Sequence, residues 1–208
     1  MTVYLLLVAL LVVERLFELA LSRRNAARAR DRGAIEVGRE HFRLMAAVHV
    51  LFLAACLVEP PLQDRHPWPV VSELALVGVA ASQALRYWAV YTLGDRWNVR
   101  ILVIPGASPI TAGPYRFVRH PNYLAVAIEL LCVPLVGGAW LTAVAFSLAN
   151  AALLRVRIQQ EEEALGEGWA RSFADKPRFL PRRRNSPRGR GADQAPSHDA
   201  ESSSIGQP

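Results

Sequence analysis

The chain has 208 residues, 52% hydrophobic and 20% charged, with a formal net charge of +6. This length supports one domain. The basic residues are almost all arginine, Lys176 being the only lysine, and they cluster in alternate connections between apolar blocks; that placement argues against nucleic acid as the partner.

In chain order, the apolar blocks lie at roughly 3–21, 44–58, 70–93, 123–138 and 139–154. Each is near the ~20 residues that cross a hydrocarbon core, the second and the last two being short. The first lacks a basic leader and a small-residue cleavage site and carries Glu14, Arg15 and Glu18, so a cleavable signal peptide is not expected. The connection 22–43 holds seven arginines, 94–122 holds four, and the chain from 155 onward holds ten basic residues. Only Arg65 falls in 59–69, and none in the 137–140 turn. This alternation predicts an all-α, multi-pass protein of the cell inner membrane with about five transmembrane helices, its N-terminus outside and its C-terminus cytoplasmic.

Between the blocks, 22–43 is expected to extend the first helix. Glu59-Pro60-Pro61 and His66-Pro67-Trp68-Pro69 should bound a non-helical outer loop, with Trp68 at the interface. The β-branched run through Val99–Ile104 predicts a hairpin arm turning at Pro105-Gly106, and Val136-Gly137-Gly138-Ala139-Trp140 a turn between the last two blocks. A single domain is expected over 1–183, with its catalytic part at about 86–181 and a disordered tail from 184 to 208. Cys56 and Cys132 read as core residues. The five histidines are scattered, so no metal site is expected.

Ionisable groups inside apolar blocks mark candidate sites. Arg86 either snorkels to the headgroups or lines a polar cavity. Glu14, Arg15 and Glu18 read as a helix-packing ion cluster. Glu129, about two turns into the fourth block, must be paired, protonated or catalytic; it and Arg86 are the candidate catalytic residues. The densest cluster is Gly113-Pro114-Tyr115-Arg116-Phe117-Val118-Arg119-His120-Pro121-Asn122-Tyr123, at the start of the fourth block. A second follows the fifth block, where Arg157 and Glu161 form an i, i+4 pair beside Glu162.

Arg119-His120-Pro121-x-Tyr123, about thirty apolar residues, and then Arg157-x-x-x-Glu161-Glu162 together resemble the isoprenylcysteine carboxyl methyltransferase family. The resemblance extends from about Arg86 to Pro181, through Leu93-Gly94-x-Arg96-Trp97, Gly113-Pro114-Tyr115 and Pro177-Arg178-Phe179-Leu180-Pro181. The wording around Trp97-Asn98 and Arg119–Tyr123 is most similar to a bacterial branch linked to type III polyketide synthases, which methylates alkylpyrone or alkylresorcinol hydroxyls. The resemblance implies S-adenosylmethionine as cofactor, held at the cytoplasmic face by Tyr115, Arg119, His120, Tyr123, Arg157, Glu161 and Glu162, with Arg157 suited to clamp a carboxylate. It also implies a lipophilic acceptor in the bilayer, with Glu129 or His120 as the base for a phenolic acceptor. Trp169 and Phe173 stand where the family pattern carries tyrosines. No G-x-G-x-x-G follows a strand-like segment, so a Rossmann-type nucleotide site is not expected. Two other readings stay open: a membrane sterol-type reductase using NADPH, which shares a similar Arg-His-Pro region, and a non-catalytic membrane protein. The residues leave the oligomeric state open.

Overall fold

The computed structural model describes residues 1–63 and 67–179. Five helices coincide with the five apolar blocks. In order these are α1 (Thr2–Asp31), the strand β1 (Ile35–Val37), α2 (Arg39–Gln63), α3 (Pro69–Leu93), the strand β2 (Ile101–Val103), α4 (Pro121–Val136) and α5 (Trp140–Ser172). Single 3₁₀ turns at Gly94–Arg96 and Gly113–Arg116 shape the long connection between α3 and α4. The tail from 184, the domain boundary at 183, His66 and Leu180-Pro181 lie outside the described residues.

The helices expose their apolar surface. Two of them, Arg39–Gln63 and Trp140–Ser172, are long and apolar enough to cross a membrane, and Pro121–Val136 is a shorter apolar helix. Only 17% and 33% of the two long apolar stretches are buried inside the protein, so hydrophobic surface faces outward as a bilayer requires and water does not tolerate. The expected five spans are therefore met in helix number, while two helices meet the requirement of length and apolarity. The other long helices are diluted by charge: α1 carries Glu14, Arg15 and Glu18, and α3 carries Glu73 and Arg86.

Arg15, Glu18 and Arg86 of these helices converge with Glu129 of α4. Arg86, 2% exposed, donates to Glu18 Oε1 at 3.2 Å and to Glu129 Oε2 at 2.6 Å. Arg15 donates to both Glu129 oxygens at 3.1 and 2.9 Å and pairs with Glu18, and Gln83 donates to Glu129 at 3.2 Å. The network ties α1, α3 and α4 together. Beside it, Tyr4, Val8, Leu11, Phe52, Cys56, Val79, Val126, Leu130 and Val133 form the apolar core. The α3–α4 interface is the most extensive. A Cβ on Gly78 would come within 2.5 Å of Cys132 Sγ, so only glycine permits this approach.

Three local expectations are corrected. First, α2 runs through Pro60 and Pro61 to Gln63; the outer loop begins later than Glu59. Proline at 60 removes the N–H that Cys56 O would accept in the helical ladder, and Tyr4 Oη donates to that carbonyl instead, at 3.0 Å. A neighbouring helix thus supplies the missing donor, the usual way proline is tolerated in membrane helices. Glu59 in the same turn accepts from Leu141 N at 3.0 Å and Thr142 N at 2.7 Å, which caps an α5 that has no side-chain cap of its own. Second, α1 ends at Asp31, and Ile35–Val37 is a strand. Third, the turn at Pro105-Gly106 forms as expected, Ala107 N donating to Ile104 O at 3.2 Å, but among the described residues no second strand follows it to make a hairpin with Ile101–Val103. Ile101–Val103 instead pairs antiparallel with β1, Glu36 opposite Leu102. Arg100 donates to Glu36 at 2.7 Å and lies over the Phe42 ring, so the arm is fixed by a distant strand of opposite charge.

Two outcomes check this packing. Tyr4→Phe should cost about 1–2 kcal/mol by orphaning the Cys56 carbonyl, and that cost should shrink in a Pro60→Ala background, where residue 60 regains an N–H; thermal unfolding in detergent measures the cycle. Arg86→Met should destabilise by roughly 3–5 kcal/mol because it strands buried carboxylates, and adding Glu129→Gln should recover most of the loss.

Candidate functional site

The long connection between α3 and α4 is pinned to α1 by buried polar residues. Asn25 donates to Trp97 O at 2.8 Å and Gly94 O at 3.1 Å, and Ser22 donates to Asn98 Oδ1 at 2.8 Å while Asn98 returns a bond to Ser22 O. These contacts set Trp97 as one wall of a cavity of about 640 Å³. The opposite wall is the start of α4, where Pro121 occupies the first helical position and leaves His120 as the cap. The charged extension of α5 forms the third wall. Gly166, at φ 73° and ψ −173°, breaks that helix in a conformation that glycine reaches without strain. The break turns Trp169 toward His120, ring centroids 5.7 Å apart, with Phe173 beyond it at 4.7 Å.

The expected site residues fall into three groups. Tyr115, Arg119, His120, Tyr123 and Glu161 all line the cavity. Burial, with Glu161 adding to it, pushes the Tyr115 phenol up, so this hydroxyl stays neutral. Arg157 and Glu162 stand behind the lining. Arg157, 4% exposed, donates to Tyr123 Oη at 2.7 Å and to Val99 O at 2.6 Å, and Tyr123 donates in turn to Glu161. The Arg157 guanidinium, expected to clamp a carboxylate, bonds to Tyr123 and Val99, while the arginines on the cavity itself are Arg96 and Arg119. Arg86 and Glu129 form the third group. They belong to the ion network between α1, α3 and α4 and do not line the cavity.

A clasp closes the site from behind. Arg119 N donates to Pro177 O at 2.9 Å, His120 N to Arg178 O at 3.2 Å, and Arg119 Nε to Lys176 O at 2.7 Å. Glu162 accepts from Arg178 at 2.6 and 3.1 Å and faces His120 Nε2 at 3.0 Å. Burial resists ionisation of Glu162, but hydrogen bonds from Arg178 and His120 prevail and hold its carboxyl below the ordinary 4.5. An ionised carboxylate can only accept, so Nε2 donates in this contact, and Nδ1 lies 3.9 Å from Glu161 Oε2. His120 stacks on Tyr123 with centroids 5.4 Å apart.

Sequence reasoning did not single out Trp97 or Asn122, although both lie inside the motifs it read. Each lines the cavity, and Trp97 Nε1 and Asn122 Oδ1 are buried with no hydrogen-bond partner among the described residues. The cavity thus offers a guanidinium, a carboxylate, an aromatic wall and unpaired polar atoms, within the ~300–1,000 Å³ typical of small-molecule sites. That donor set fits a nucleoside carrying an amino-acid end.

Residues 74–167 match the family model described as isoprenylcysteine carboxyl methyltransferase (ICMT) family. The chain is 40% identical over 162 residues to the uncharacterized protein YpbQ of Bacillus subtilis (strain 168), covering 78% of this chain and 96% of that protein. It is 28% identical over 165 residues to an uncharacterized protein of Haemophilus influenzae, covering 79% and 95%. Protein-S-isoprenylcysteine O-methyltransferase B of Arabidopsis thaliana is 25% identical over 150 residues, covering 68% and 72%.

The clasp has a pH signature. Because the folded Glu162 titrates below its ordinary value, the stability it contributes is full above about pH 4.5 and is lost as pH falls through the folded value. Exchange protection of the Arg119 and His120 amides should hold from neutral pH to about pH 5 and fall below about pH 4. In Glu162→Gln it should be weaker and flat over that range, as hydrogen–deuterium exchange would record.

Proposed function

Residues 74–167 match the isoprenylcysteine carboxyl methyltransferase family model, and from that premise we propose that the chain is an S-adenosylmethionine-dependent O-methyltransferase acting on a lipophilic acceptor at the membrane. The observation that carries this reading is the cavity in which Arg119, His120, Asn122 and Tyr123 of the α4 start meet Glu161 and Trp169 of α5. In the same reading the five helices span the bilayer, with the arginine-rich connections and the cavity on the cytoplasmic side.

S-adenosylmethionine, when bound, supplies an electrophilic methyl group. Everything else is positioning and water exclusion. Arg119 offers a fork to a carboxylate, with its Nε fixed by Lys176 O. Glu161 accepts from hydroxyl or ammonium groups, its carboxylate held by Tyr123. Arg157 is a positioning residue, acting through Tyr123 Oη. Trp169 and Phe173 present flat apolar faces and keep water out. His120, with Nε2 bonded to Glu162 and Nδ1 3.9 Å from Glu161 Oε2, is the candidate base for a phenolic acceptor; a carboxylate or an acidic pyrone enol arrives ionised and needs none. The acceptor's apolar tail stays in the bilayer between helices. Among acceptors, the alkylpyrone or alkylresorcinol hydroxyl is favoured by the Trp97-Asn98 and Arg119–Tyr123 wording, and the isoprenylcysteine carboxylate is the other arm of the test.

Protein purified in detergent should bind S-adenosylmethionine. Arg119→Ala should weaken that binding at least tenfold and Tyr123→Phe about fivefold or more, the loss of one charge-assisted and one ordinary buried hydrogen bond. Membranes given labelled cofactor should methylate one of a prenylcysteine, an alkylpyrone and an alkylresorcinol. Tight NADPH binding with no affinity for S-adenosylmethionine would overturn the reading, and unchanged binding in both variants would remove these residues from it.

A further inference from the structure

Two residues that line the cavity each carry a buried polar atom with no partner among the described residues. Trp97 is 2% exposed, its backbone is tied to Asn25 and Gly94, and its indole N–H is buried without an acceptor. Asn122 Oδ1 is buried without a donor. An unmade buried hydrogen bond is costly, and the two orphans are of opposite kind: Trp97 can only donate, and the Asn122 oxygen can only accept. Both line the same cavity as the aromatic wall of His120, Trp169 and Phe173.

A flat ring that stacks and carries an acceptor nitrogen beside a donor amine complements this set. Resting on the methyltransferase reading above, we propose that Trp97 Nε1–H and Asn122 Oδ1 are the specificity-determining pair for a 6-aminopurine. Trp97 donates to a ring nitrogen, and Asn122 accepts from the exocyclic amine. A 6-oxopurine reverses both groups, placing a carbonyl where the amine stood and an N–H where the lone pair stood. The same pocket then faces oxygen to oxygen and N–H to N–H, and rejection follows from two unpaired buried groups.

The test compares S-adenosylhomocysteine with its 6-oxo analogue, S-inosylhomocysteine, by calorimetry on the full-length protein in detergent. The native chain should prefer the amino form by about a hundredfold or more. Trp97→Phe and Asn122→Leu should each weaken S-adenosylhomocysteine about tenfold and narrow the preference to within about threefold, with the acceptor KM unchanged. Equal affinity of the native protein for both ligands overturns the pairing, whatever the variants do. So does a variant series that keeps the full preference, or one that raises only the acceptor KM, which would assign the pair to the acceptor's head. Absence of binding to either ligand in the native protein instead removes the methyltransferase reading.

Discussion

A guanidinium in the apolar interior has to be neutralised where it sits, and Arg86 is neutralised from two other helices at once, by Glu18 of α1 and Glu129 of α4. Such a contact fixes both the depth and the rotation of each helix, because carboxylates shifted by one residue would point elsewhere. The consequence reaches the cavity. Asn25, which holds Trp97, follows Glu18 by seven residues on α1; Leu93, on the cavity wall, follows Arg86 by seven on α3; Asn122 precedes Glu129 by seven on α4. Seven residues is about two helical turns and roughly 10 Å. The ionic layer and the cavity are therefore stacked on the same three helix faces, and a charge cluster set apart from the cavity indexes the residues that line it.

This also explains why the sequence was informative about some charges and misleading about others. Arg86 and Glu129 stood out as intramembrane ionisable groups, and a functional role is the default for such groups. Their role follows from who faces them, and nothing local in the chain reveals that Arg15 and Glu18 face them across more than sixty residues. The Arg119–Tyr123 and Arg157–Glu162 clusters were legible as partners through their joint resemblance to the family's motifs, since each alone reads as a charged helix end. The division of labour between them was not legible. An arginine reads as a carboxylate clamp until its neighbours are known, and Arg157 is enclosed by Tyr123, Val99 and Met45.

The fold-level expectations divide on the same line. Helix number, the turn at Gly137-Gly138 and the strand character of Ile101–Val103 follow from local pattern and were read correctly. The partner of that strand and the continuation of α2 through two prolines depend on distant groups: Glu36 across the sheet, and a tyrosine hydroxyl from α1 that stands in for a missing N–H. Trp97 and Asn122 went unweighed because an indole and an amide look ordinary until each is found buried without a partner.

The part of the chain that matches the family model, 74–167, carries Arg119, His120, Asn122, Tyr123 and Glu161. Outside it lie Ala29, Trp169 and Phe173, which add apolar and aromatic wall, together with Asn25, which sets Trp97, and the 176–178 clasp behind Arg119 and His120. The charged groups on the cavity thus belong to the matched segment, and part of its aromatic wall comes from the flanks. Enclosure matters as much as charge here. A guanidinium or carboxylate open to water gains little from a partner, and the same groups behind a dry aromatic wall gain several times more. The flanks therefore set how dry the cavity is around the motif residues, and the clasp, which bonds Arg119 directly through Pro177 O and Lys176 O, also sets where its guanidinium stands.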